Sequence, residues 1–77
     1  MNIQKIREEI RRKEGRLLKF KFNGARNQIE EFTGKISRIY PSIFTIELTE
    51  LNKNVKSFSY SDILTNSLQI METDIEL

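Results

Sequence analysis

The stretch Phe32-Thr-Gly-Lys-Ile-Ser-Arg-Ile-Tyr-Pro-Ser-Ile-Phe-Thr-Ile-Glu-Leu48 decides how the rest of the chain is read. Phe32, Ile36 and Tyr40 recur at even spacing before a turn, and Phe44, Ile46 and Leu48 alternate after it. A period of two predicts two β-strands folded back on each other about Tyr40-Pro41-Ser42. Pro41 suits that turn because its ring fixes φ and it withdraws a ladder donor where none is needed. Gly34 interrupts the first strand at an inward position, which predicts a bulge or a sharp bend.

Upstream, Arg16 to Asn23 keeps the same period, with Leu18, Phe20 and Phe22 facing in and Lys19 and Lys21 facing out. Asn23-Gly24-Ala25-Arg26-Asn27 is turn chemistry, and the next strand is expected to start near Ile29. Further upstream the period lengthens. Ile3, Ile6 and Ile10 recur at spacings of three and four, which predicts a helix with Asn2 as its cap and Gly15 as its stop. Arg7 and Arg11 border one side of the isoleucine stripe and Lys13 the other, and Glu8 with Arg12 and Glu9 with Lys13 stand four apart with the acid first. Downstream, Thr49 to Asn54 reads as a loop and Lys56 to Tyr60 as a short strand with Phe58 and Tyr60 in register. Ser61 is expected to cap a single helical turn, and Ser67 to Met71 forms a last strand with Leu68 and Ile70 inward. Ile39, Ile43, Val55 and Met71 fall out of phase with this core and are candidates for self-association.

The expected fold is therefore mainly β: one domain over 1–77, with an N-terminal α-helix in 1–15, a small five-stranded SH3-like or Sm-like barrel in 16–72 and an acidic tail in 73–77. An open meander with the helix across one face fits the same pattern less economically. At 77 residues there is room for one core, burying only about 60% of the unfolded surface.

Composition argues against catalysis. The chain has no cysteine and no histidine, which removes disulfides, thiolate metal sites, the commonest metal ligand and the commonest general base. Glu30 and Glu31 are adjacent carboxylates, but neighbours in a strand point to opposite faces and cannot share a substrate proton. Ser57, Ser59, Ser61 and Ser67 have no histidine to activate them. Asp62 is expected to cap or bond locally rather than bind metal. No catalytic residue, cofactor or metal site is expected. No apolar run reaches the length of a membrane span, and Met-Asn-Ile-Gln-Lys-Ile-Arg-Glu-Glu carries charges where a signal peptide needs an apolar core, so a cytoplasmic protein is expected.

The net charge of +2 hides a polarised chain. Residues 1–26 hold nine Lys/Arg against three Glu, whereas residues 27–77 hold four against eight acids. Arg7, Arg11, Arg12, Lys13, Arg16, Lys19, Lys21 and Arg26 form the candidate binding surface, able to follow a nucleic-acid backbone or meet an acidic partner if the helix lies beside the first strand. Phe20 and Phe22 alternate with the lysines and so offer no stacking platform on that face.

Three stretches, Asn23-Gly24-Ala25-Arg26, Tyr40-Pro41-Ser42-Ile43-Phe44 and Ser59-Tyr60-Ser61-Asp62-Ile63-Leu64-Thr65, together with the amphipathic N-terminal helix, resemble the Veg family of Gram-positive bacteria over nearly the whole chain. The resemblance implies a small SH3/Sm-type barrel and a stimulator of biofilm formation with a part in transcriptional control, without enzymatic activity. Ala25 and Asn27 depart from the family's turn, which often reads Asn-Gly-Gly-Arg followed by a second base, and this weakens the basic tip. The expectation is a non-enzymatic regulator that binds a protein partner, such as a transcription regulator, and can form a homo-oligomer. The alternative is a nucleic-acid-binding barrel that uses the basic helix and first strand.

Overall fold

A computed structural model describes residues 2–24, 28–49 and 54–71. The turn tip at 25–27, with Arg26, Ala25 and Asn27, the loop residues 50–53 and the acidic tail at 73–77 lie outside the described residues. The elements run α1 (Ile3–Arg12), β1 (Leu17–Asn23), β2 (Ile29–Ile39), β3 (Ile43–Leu48), β4 (Val55–Ser59), α2 (Tyr60–Leu64) and β5 (Leu68–Met71).

All pairings are antiparallel, and the five strands form one sheet in the order β4-β3-β2-β1-β5. The fold is mainly β with an N-terminal helix, as the alternation predicts, but the sheet is not closed into a barrel: β4 and β5 remain its two edges. The sheet is nevertheless strongly curled. Three strand spacings separate β1 from β4, about 14 Å on a flat sheet, yet the rings of Phe22 and Phe58 lie 5.2 Å apart. Strand β2 makes this curl possible because its two halves serve different partners. Residues 29–35 pair with β1 and residues 34–39 with β3, and only Gly34 and Lys35 belong to both ladders.

The bend in β2 has two causes, and the sequence signals only one. Gly34 allows a close approach: a Cβ there would sit 2.6 Å from the Glu47 carbonyl oxygen and 2.8 Å from Ile46 Cγ2. The bulge itself comes later, where the register with β3 shifts between Ile36 and Arg38. Ser37 is the extra residue, and its hydroxyl meets that of Thr45 at 2.8 Å. One extra residue inverts the alternation. Phe32, Gly34 and Ile36 face the core, but beyond the bulge Ile39 packs against the core and Tyr40 is 44% exposed. The expected face of Phe32, Ile36 and Tyr40 is corrected accordingly, and Ile39 is a core neighbour rather than an interface residue. Ile43, Val55 and Met71 are exposed, as their phase predicts.

The core is a ladder of rings. Phe20 stacks on Phe32, Phe32 on Phe58, and Phe44 contacts both Phe58 and Tyr60. Ile6 and Ile10 of α1 close one end of it, each contributing about 2 kcal/mol by leaving water. The Asn2 side chain accepts from the Lys5 N–H at 2.9 Å, so the expected cap is in place. The helix stops earlier than the expected Gly15, at Arg12 with Lys13 as its C-cap; Gly15, at φ +81°, turns the chain two residues later, and its N–H donates to the Ile36 carbonyl at 3.1 Å. Glu9, rather than Glu8, pairs with Arg12, and Glu9 also reaches Lys13 at 3.4 Å.

The cap of α2 is Ser59 rather than Ser61, because Tyr60 is already helical. Ser59 Oγ accepts from the Asp62 N–H at 3.2 Å while the Asp62 carboxylate accepts from the Ser59 N–H at 3.0 Å, a reciprocal capping box. Asp62 thus bonds locally. Ser59→Ala is expected to lower stability by about 1 kcal/mol, measured as a fall in the urea midpoint; Ser61→Ala, by contrast, should leave that midpoint within about 0.5 kcal/mol of wild type.

Candidate functional site

The hairpin turn after β2 is where both helices are tied to the sheet. Its three successive carbonyls each accept a hydrogen bond from elsewhere in the chain. The Tyr60 hydroxyl donates to Tyr40 at 2.5 Å, Arg7 Nη1 donates to Pro41 at 3.3 Å, and the Tyr60 N–H reaches Ser42 at 3.5 Å. The Tyr40 N–H closes the turn on the Ile43 carbonyl at 2.8 Å. Arg7 comes from α1 and Tyr60 opens α2, so the turn is held from two sides while the Tyr40 ring is left in solvent.

Burial pushes the Tyr60 phenol above its ordinary value of 10.0, and the positive charges of Arg7 and Arg11 pull it part of the way back. The neutral phenol is also the form that can donate to the Tyr40 carbonyl. A folded-state value above the unfolded one means that the native state holds its proton more tightly. The stability that this group contributes is therefore present below pH 10.0 and lost as pH rises through the folded value. Wild type is expected to lose more stability than Tyr60→Phe between pH 9 and the alkaline limb, in paired urea titrations of the two proteins. Equal losses would show that this phenol is not coupled to folding.

The curled sheet divides the basic residues between two sides. Ile6 and Ile10 share the core that Leu18 and Phe20 face, so α1 lies on the concave side of the sheet. Lys19 and Lys21 occupy the alternate positions of β1 and project from the convex side. α1 contacts chiefly α2 and β2 and flanks the edge of β2 beyond Lys35, where β1 no longer pairs, so Arg7, Arg11, Arg12 and Lys13 do not stand beside Lys19 and Lys21. Arg16 is exposed in the connection between α1 and β1. Several of these charges already have carboxylate neighbours: Arg12 and Lys13 at Glu9, and Lys19 at Glu31, 3.3 Å away. Exposed pairs of this kind contribute at most about 1 kcal/mol, but they reduce the positive field available to a ligand.

Glu30 and Glu31 diverge as strand neighbours must. Glu31 turns to Lys19, whereas Glu30 faces Lys56 at 3.5 Å. Lys56 in turn stands 5.2 Å above the centroid of the Phe32 ring. Among the described residues, no three His, Cys, Asp or Glu side chains come together as metal ligands, and no helix is long and apolar enough to cross a membrane.

A second surface feature joins α1, α2 and β5. Ile6 and Ile10 from the first helix, Ile63 from the second and Ile70 from the last strand line a groove of about 290 Å³, with Lys5 and Glu9 at its rim. The spacing of the helix isoleucines announces one wall. The other walls come from residues 63 and 70, and only the tertiary arrangement brings them to it. Exposed Tyr40 and Arg38 are likewise missed by sequence reasoning, because the bulge that turns them outward carries no Gly or Pro.

A comparison with curated proteins finds none that matches the chain. The family model for the biofilm formation stimulator VEG matches residues 1–71, which include the capped helix, all five strands and the doubly anchored turn. With more than nine-tenths of its length inside that match, the chain belongs to the Veg family of biofilm formation stimulators.

Proposed function

We propose that this protein is a non-enzymatic cytoplasmic regulator that acts in transcriptional control and biofilm formation by binding a protein partner. The observation that supports this reading is the isoleucine groove between α1, α2 and β5. Its lining is almost wholly apolar, and a charge of each sign stands at its rim. Concave apolar surface with a few polar groups at the edge suits a hydrophobic side chain or the apolar face of a partner helix. Family membership supplies the cellular setting.

The test is a crosslinked pull-down from a Gram-positive lysate treated with nuclease. Wild type and Ile63→Glu are compared after both are shown to fold by circular dichroism. Wild type should retain a stoichiometric protein that the groove variant loses. Retention by both, or by neither, overturns the assignment of the partner to this groove.

A further inference from the structure

The seam between α1 and the second half of β2 gathers arginines around one exposed aromatic ring. Two anchors fix its geometry. Arg7 donates to the Pro41 carbonyl in the first half of the helix, and Gly15 donates to the Ile36 carbonyl just past the helix end, so α1 runs antiparallel to residues 36–41. Arg11 lies between these anchors along the first segment, and Arg38 and Ile39 lie between them along the second. Beyond the bulge Arg38 and Tyr40 are both exposed on the side away from Ile39, and because β1 stops pairing at Lys35, α1 flanks the open edge of β2 beside them. Arg7 and Arg11 also act electrostatically on the Tyr60 phenol, whose hydroxyl donates to the Tyr40 carbonyl. The Arg7 guanidinium is therefore bonded one residue from Tyr40, and Arg11 is within electrostatic reach of the phenol that holds the Tyr40 carbonyl.

The cations of this seam are uncompensated. Arg12 and Lys13 have Glu9, Lys19 has Glu31 and Lys56 has Glu30, whereas Arg7, Arg11 and Arg38 have no carboxylate within ion-pair distance among the described residues. Lys5, Arg16, Lys21 and Lys35 share that state, so what distinguishes the seam is the exposed Tyr40 on the turn that Arg7 holds. Glu8, one helical turn from both Arg11 and Arg12, pairs with neither. The platform is also rigid, because the Tyr40 N–H and carbonyl are both engaged, at 2.8 and 2.5 Å. A ring presented on a fixed backbone loses little further freedom when something stacks on it.

We propose that this seam is a binding site for single-stranded nucleic acid, with phosphates held by Arg7, Arg11 and Arg38 and a base stacked on Tyr40. Guanidinium forks match phosphate oxygens, and an exposed tyrosine face accepts any base. The proposal goes beyond the partner-binding reading and uses a different surface from the isoleucine groove, so either can fail without the other.

The experiment is fluorescence anisotropy with a labelled oligouridine of about 12 nucleotides, titrated with the full chain over a series of salt concentrations. Three phosphate contacts predict a log–log salt slope of about −2 for a single strand. Arg11→Gln and Arg38→Gln should each make that slope shallower by about 0.7. Tyr40→Ala should weaken binding about tenfold at unchanged slope, with Tyr40→Phe close to wild type. Ile63→Glu and Lys21→Gln should bind as wild type does. Four results overturn the proposal: no salt-dependent binding, a slope change for Lys21→Gln equal to that for Arg11→Gln, no loss for Tyr40→Ala, or equal competition by duplex DNA or by an acidic peptide of matched charge. All the substituted side chains of the seam are exposed, and an unchanged urea midpoint in each variant separates lost binding from lost folding.

Discussion

Gly34→Ala is expected to destabilise the protein by about 3 kcal/mol, although it adds a single methyl group. The added Cβ would meet a backbone oxygen, Glu47 O at 2.6 Å, and Ile46 Cγ2 at 2.8 Å. A flexible side-chain end can swing away from such a contact, but a carbonyl in a ladder can move only with its strand. Gly34 pairs with Leu18 on one side and Leu48 on the other, so displacing it strains both ladders at the residue that joins them. A domain of this length has about 4 to 12 kcal/mol of stability in total, so the loss is a large share of it. The measurement is the urea midpoint at unchanged m-value. Gly15→Ala is the comparison: nothing lies within 4 Å of its added Cβ, and only the left-handed φ of +81° is costly, by about 1 kcal/mol. If Gly34→Ala costs no more than Gly15→Ala, then β2 and β3 do not approach as closely as described.

Phe44→Ala is expected to cost about 4 kcal/mol. Phe44 is fully buried and sits where two ring systems join, 6.3 Å from Phe58 and 5.5 Å from Tyr60. Its truncation opens a cavity between β3 and the start of α2, and the ladder cannot collapse into it without pulling Tyr60 off the Tyr40 carbonyl. Phe44→Leu keeps most of the volume and should cost less than about 2 kcal/mol. Chemical denaturation gives both values, and the dispersion of methyl resonances reports whether the Ala variant keeps a unique core. A cost below that of the Leu variant would remove Phe44 from the centre of the packing.

Much of this fold is legible in the sequence because short-range alternation decides which side of a strand is buried. Leu18 and Phe20 in β1, and Phe44, Ile46 and Leu48 in β3, need no more than a period of two, and Asn2 marks the start of its helix by local chemistry. The misreadings have physical causes. The bulge at Ser37 is carried by an ordinary residue, and because Phe32, Ile36 and Tyr40 keep even spacing across it, the inversion leaves no trace in the pattern. Ser59 and Ser61 are equally good caps as residue types. Asp62, three residues after Ser59, decides between them by returning a bond to the Ser59 N–H, so that signal was present. Closure of the sheet depends on whether β4 and β5 meet, and nothing local to either strand records this.

The candidate surface was legible as a set of residues but not as a surface. Which cations are compensated depends on acids far along the chain, as with Lys19 and Glu31 or Lys56 and Glu30. Which cations act together depends on the side of the sheet they occupy. Tyr40 and Arg38 enter only once the bulge is known, and Ile63 and Ile70 only once the two helices and β5 have converged.

The bulge at Ser37 also sets a rule about length. Pairing with β3 fixes what faces outward on either side of it: Ile36 stands opposite Ile46 and Arg38 opposite Thr45, one step apart on β3 but two apart on β2. Deleting Ser37 would make Ile36 and Arg38 neighbours in an unbroken ladder, with Ile39 still toward the core and Tyr40 still outward. What the deletion removes is the local bend and the hydroxyl contact between Ser37 and Thr45. This segment should therefore lose its one extra residue without exchanging its faces, whereas a second inserted residue has no place in the ladder unless it too is bulged out.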